Sequence, residues 1–154
     1  MTMDLVVRAI EEKELPQALA LVKRVFLQYE APDYSQQGID TFLSFLQDQE
    51  RVAELKLIGA FAKGELVGVL AMRGASHISL FFVESTMQGK GVGRALFTAA
   101  RGGCTGDLMT VNSSPYAVEI YKRLGFTPLS EEQEKDGIRF TPMKCILIPG
   151  GNEQ

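Results

Sequence analysis

Between residues 77 and 101 the chain runs from an unbroken apolar stretch, HISLFFV, through ESTMQ into GKGVGRALFTAAR. The first part reads as a strand, and Val92, Ala95, Leu96 and Ala99 recur at helical spacing over 90–101. Strand and helix are joined by a segment carrying Gly89, Gly91 and Gly93 at alternate positions. Glycine loses more backbone freedom on folding than any other residue, and a turn alone needs one or two. Three point to something that approaches the backbone closely. DLMTV (107–111) reads as the next strand, so 77–83, 90–101 and 107–111 form a βαβ unit whose strands are parallel.

The N–H groups at a helix start are unpaired and carry the positive end of the dipole, and glycines let a phosphate reach them. The segment therefore reads as a pyrophosphate cradle. A P-loop is excluded, since no Gly-Lys here is followed by Ser or Thr. A dinucleotide fingerprint also fails, because counting from Gly89 or Gly91 puts Arg94 or Leu96 where the third glycine belongs.

The rest of the chain supplies the frame. LVVRAI (5–10) is a short strand. A helix starts near Pro16, and its apolar face holds Leu15, Ala18, Leu19, Val22, Val25, Phe26 and Tyr29. Ser35 caps a second helix lined by Ile39, Phe42, Leu43 and Leu46. Strands 57–62 and 66–72 flank a hairpin connection at Lys63-Gly64-Glu65, and Gly74-Ala75 turns the chain into 77–83. Ser114-Pro115 opens a further helix that Gly125 closes. FTPL (126–129) and 138–148 are the last strands, joined by the acidic EEQEKD (131–136), which reads as a solvated loop.

Length and composition bound the function. At 154 residues, with no linker-like stretch, 1–154 is expected to be a single domain. A formal charge of −3 argues against nucleic acid, and the longest apolar runs fall far short of the ~20 residues of a membrane span. Cys104 and Cys145 are too few for a disulfide framework or a zinc site, and no metal is expected. The N-terminal MTMDLVVRAIEEKE lacks a long apolar region, so it does not read as a secretory signal. A cytoplasmic protein with reduced thiols follows.

Gln88-Gly89-Lys90-Gly91-Val92-Gly93 fits Q-x-x-G-x-G after an apolar strand. This resembles the acyl-CoA-binding motif of the GNAT N-acetyltransferase superfamily. NSSPYAVEIYKRLGF (112–126) resembles that family's tyrosine-bearing helix, with its closing Leu-Gly-Phe. The element order β-α-α-β-β-β-α-β-α-β-β matches the family from end to end. The resemblance implies an α/β fold with a central mixed sheet and helices on both faces. It also implies acetyl-CoA as co-substrate and an amine acceptor, a small molecule or a peptide, and it leaves room for a homodimer. A non-catalytic acyl-CoA sensor would keep the cradle without the tyrosine.

The resemblance also distributes roles. Residues 89–94, including Arg94, hold the pyrophosphate. Phe81, Phe82 and Val83 pair with the pantetheine arm, and the Val83 N–H stabilises the oxyanion. Tyr121 is the general acid toward the thiolate, whose pKa of ~8.5 lies below the ~10 of a phenol; packing alone is the other reading of its helical face. Many members carry an asparagine seven residues before the tyrosine, where this chain has Ser114. Asn112 lies two residues earlier, so either could contact CoA. His77, six residues before Val83, falls where histone-type relatives carry a glutamate base, and it or a water chain takes the amine's proton. Glu84 and Glu119 are weaker candidates. Phe26, Tyr29, Tyr34 and Phe42 either line an acceptor mouth or belong to the core.

Overall fold

The structure is a computed structural model and describes residues 4–147. Its strands are β1 (Leu5–Ala9), β2 (Leu55–Ala62), β3 (Glu65–Arg73), β4 (His77–Val83), β5 (Leu108–Ser113), β6 (Thr127–Pro128), β7 (Gln133–Lys135) and β8 (Ile138–Ile146). The helices are α1 (Leu15–Tyr29), α2 (Gln36–Gln47), α3 (Gln49–Ala53), α4 (Val92–Gly102) and α5 (Val118–Arg123). They form the mixed α/β fold that the motifs implied. The sheet order is β1-β2-β3-β4-β5-β8-β6, with β7 on β8. All pairings are antiparallel except β4 with β5. That parallel pair, bridged by α4, is the βαβ unit read from residues 77–111.

Helices cover both faces. Ala18, Leu21, Val22, Val25 and Phe26 of α1 pack with Leu46 of α2 on Val69, Ala71, Leu80 and Phe82. On the other face Val92, Leu96, Phe97 and Ala100 of α4 and Tyr121 of α5 pack on Leu70, Ile78, Met109 and Val111. Burying a large aliphatic or aromatic side chain is worth ~1.5–3 kcal/mol, so these two layers fix the sheet between them. Phe26 and Phe42 stack at 4.0 Å between ring centroids, which assigns both to the core.

Three local readings are corrected. EEQEKD is not a solvated loop: Gln133–Lys135 pairs with Ile138–Phe140, and Asp136 and Gly137, both at positive φ, make the two-residue turn. Such Asp-Gly turns match the twist of a hairpin. Asp48 starts an unforeseen helix, its carboxylate accepting from the Arg51 N–H at 3.1 Å. After Ser114-Pro115 the chain makes a turn, and α5 begins at Val118. The expected last strand residue, Ile148, lies outside the described residues.

Candidate active site

The site grows from a fork in the sheet. β4 and β5 pair only at His77↔Thr110 and Ile78↔Val111, and then they part. Glu84 donates its N–H to the Val67 carbonyl on β3, so by strand alternation the Val83 and Phe81 N–H groups point into the fork. The Val83 carbonyl points the same way, because Gln88 Nε2 donates to it at 3.1 Å.

α4 begins at the mouth of this fork. Gly91, at φ 86°, is its N-cap and offers no side-chain acceptor to the first-turn N–H groups. An L side chain rarely adopts that φ, and a Cβ there would meet nothing within 4 Å. Gly89 has the same character, at φ 78°. Gly93 differs: its φ is ordinary, and a Cβ would lie 3.6 Å from the Phe81 ring and 3.8 Å from Val83. Two of the three glycines are thus required by the backbone, and the third borders the fork.

A cavity of about 640 Å³ fills the fork, within the usual size of ligand sites. Phe81, Phe82, Val83, Gln88, Gly89, Gly91, Gly93, Arg94 and Tyr121 of the expected set line it. Val92 is buried in the core, so only its backbone can serve a ligand, and Lys90 does not line the wall. Asn112 is exposed on β5, away from the cavity. Ser114 is buried beside it, and its hydroxyl accepts the Ala117 N–H at 3.3 Å.

Tyr121 is held by backbone and ring contacts together. Its carbonyl accepts the Phe126 N–H at 3.0 Å across Gly125, which has φ 105°, a closure that ends α5. Its ring sits edge-on to Phe81 at 5.9 Å and Phe126 at 5.3 Å. Burial, and then the charge of Glu30, push its phenol well above the usual range. The hydroxyl therefore stays protonated at neutral pH.

His77 is not brought to this site. It starts β4 while Val83 ends it, six residues or ~20 Å away along an extended strand. Register also shifts between β3 and β4, since Ala71 and Met72 pair with Leu80 and Ile78 and pass over Ser79. His77 Nδ1 lies 2.8 Å from Thr110 Oγ1, and burial, aided by Arg73, lowers its pKa. Glu84 is ion-paired with Arg24 of α1. Glu119 lines the cavity but is largely exposed and lies 3.4 Å from Lys122.

Other residues complete the wall without a motif to announce them. Tyr29 and Glu30 at the end of α1 line the cavity together with Tyr116 and Tyr121. Tyr29 stacks on Tyr116 at 5.1 Å, and the Tyr116 hydroxyl donates to Gln88 Oε1 at 3.2 Å. Arg123 adds a second cation to Arg94. Burial pushes the Glu30 carboxyl up to about 7, against a lowering influence of the Ser114 hydroxyl and with a further rise from Asp33.

A family model described as the acetyltransferase (GNAT) domain matches residues 30–147. The chain belongs to that family. The GNAT match spans the cradle, α5 and the terminal strands, and it makes the protein an acetyltransferase. Solved structures agree on the fold. A GCN5-related N-acetyltransferase from Rhodopseudomonas palustris is 24% identical over 96% of this chain and 99% of that one, with a TM-score of 0.79. PaiA N-acetyltransferase from Thermoplasma acidophilum, solved with coenzyme A, is 14% identical over 94% and 99%, with a TM-score of 0.74. YjaB from Escherichia coli is 22% identical over 96% and 99%, with a TM-score of 0.69. Comparison with curated proteins gives no match. Among the described residues no helix is long and apolar enough to cross a membrane, and no cluster of His, Cys, Asp or Glu could hold a metal.

Proposed function

We propose that the protein transfers the acetyl group of acetyl-CoA directly to an amine of a small-molecule or peptide acceptor, in the cytoplasm. One observation carries this reading: the open N-terminus of α4, the unpaired edge of β4 and the Tyr121 ring all border a single cavity. The unpaired N–H groups and Arg94 suit a pyrophosphate, as the CoA complex of the related PaiA enzyme also supports. The Val83 N–H suits the developing oxyanion. Tyr121 acts as general acid: it hydrogen-bonds the departing thiolate and gives it a proton. A thiolate expelled into the same apolar cavity gains proton affinity too, which offsets the high pKa of the phenol.

Tyr121→Phe tests the acid, since it keeps the ring packing and removes the hydroxyl. General acid catalysis is worth ~10²–10⁴-fold, so kcat for thiol release should fall at least tens-fold while CoA affinity holds within a few-fold. Turnover, calorimetric CoA binding and melting temperature are measured on one preparation. A variant that keeps most of its activity would reduce Tyr121 to packing.

A further inference from the structure

With His77 remote, the amine lacks a proton acceptor, and an ammonium cannot attack a thioester. We infer that the Glu30 carboxylate, which lines the cavity at the C-terminal end of α1, takes this proton. The inference rests on the acetyl-transfer reading above.

Position argues first. Glu30 caps the C-terminal end of α1 and lines the cavity that Tyr121 lines, close enough for its charge to bear on the Tyr121 phenol. Elimination argues next. Of the other candidate carboxylates for this role, Glu84 is ion-paired with Arg24 and Glu119 with Lys122. Glu30 makes no ion pair with the described residues.

Its surroundings then set its chemistry. The groups whose hydroxyl or charge bears on it are Ser114 from the β5–α5 connection, Asp33 and Tyr34 from the turn after α1, and Tyr116 and Tyr121 from the α5 side. Arg94 of α4 and Arg123 of α5 line the same cavity and form no ion pair with it. The negative end of the α1 dipole also disfavours a charge there. A carboxyl brought near 7 by such surroundings can both accept and release a proton at neutral pH, as a general base must.

The proton balance closes. Glu30 takes one proton from the ammonium and passes it to solvent. The freed nitrogen lone pair forms the C–N bond, and the carbonyl pair moves onto oxygen. Collapse breaks the C–S bond, with its electron pair leaving on sulfur, and Tyr121 protonates that sulfur. Glu30 takes the second nitrogen proton, and solvent restores both side chains. One proton is released per turnover, together with the amide and CoA thiol.

Glu30→Gln tests the inference, because it keeps the side chain's size and polarity and removes its ability to take a proton. Thiol release from acetyl-CoA is followed with two probe nucleophiles: phenethylamine, an ammonium at pH 7, and methoxyamine, already neutral there. The variant should lose at least 10²-fold in kcat/KM with phenethylamine but less than tenfold with methoxyamine. CoA affinity should hold, and the rate profile should lose its ionisation near 7. Ser114→Ala, which removes a hydroxyl that lowers the Glu30 pKa, should move that ionisation upward. Equal losses with both nucleophiles, or an unchanged pH profile, would make Glu30 a structural residue and overturn the inference while wild-type turnover stands. A wild-type protein that acetylates neither probe would instead remove the acetyl-transfer reading, and the inference with it.

Discussion

Two glycine sites in this molecule use the absence of a side chain in opposite ways. At Gly91 a Cβ would meet nothing within 4 Å, and the backbone sits at φ 86° over the cavity. At Gly38, in the first turn of α2, a Cβ would lie 2.1 Å from the Gly137 carbonyl oxygen. A Cβ on Gly137 would in turn lie 2.3 Å from the Gly38 nitrogen. The first site leaves open space at the cavity, where we propose a ligand's phosphates sit. The second fills its space with the chain itself, where the β7–β8 turn seats against α2. Thr41 Oγ1 donates to the Asp136 carbonyl at 2.8 Å there, and Arg139 donates to the Asp33 carbonyl at 3.0 Å. Glycine marks a close approach in both places, and only the surroundings say whether the visitor is a ligand or the protein.

The contrast breaks most visibly at Gly38. Gly38→Val drives a side chain into backbone, which cannot move aside as a flexible side chain would. Overpacking of this kind costs ~1–3 kcal/mol or more, and in a chain of this size each kcal/mol is worth roughly 2–4 °C. Melting temperature should therefore fall by about 2–12 °C, while any folded protein keeps its CoA affinity. A variant as stable as wild type would mean that the hairpin does not seat on α2 as described.

Gly91 should respond the other way round. A valine at that φ costs of order 1–3 kcal/mol in strain, and its methyl groups would enter the cradle. Gly91→Val should weaken CoA binding at least tenfold, or ~1.4 kcal/mol, as measured by calorimetry on folded protein. Unchanged affinity would erase the difference between the two glycine sites, leaving both as structural.

What the sequence disclosed follows the same division. The strand–glycine–helix segment was legible because positive-φ turns at a helix start leave glycines in the sequence, and the strands and helices around it carry apolar periods. β7 was not legible, since Gln133-Glu134-Lys135 has no apolar alternation and exists as a strand only by pairing with β8. The Asp136-Gly137 pair was the available signal. Glu30 escaped because its surroundings are assembled from segments ending at 33, 114 and 121, which meet only in the fold. Phe26 and Tyr29 share one helical face, yet the first is core and the second lines the cavity. Periodicity identifies the face, and the fork in the sheet decides where along it the core stops.

His77 carries the smallest expected effect and sharpens the contrast from outside the site. A residue counted into a strand lies at a definite distance, and here that distance removes it from the cavity. His77→Gln should leave kcat within about twofold and the rate ionisation near 7 intact; the loss of one hydrogen bond is worth only ~1 kcal/mol. Its signature belongs to stability. Burial lowers the folded-state pKa below the ordinary 6.5, so under mildly acidic conditions the unfolded chain binds more protons. Stability from this residue is present above pH 6.5 and is lost as pH falls through the folded value. The glutamine variant should lack that part of the acid slope when melting temperature is followed from pH 7.5 down to 5. If it instead flattened the rate profile, the proton path would run through the far end of β4, and the assignment of Glu30 would fail with it.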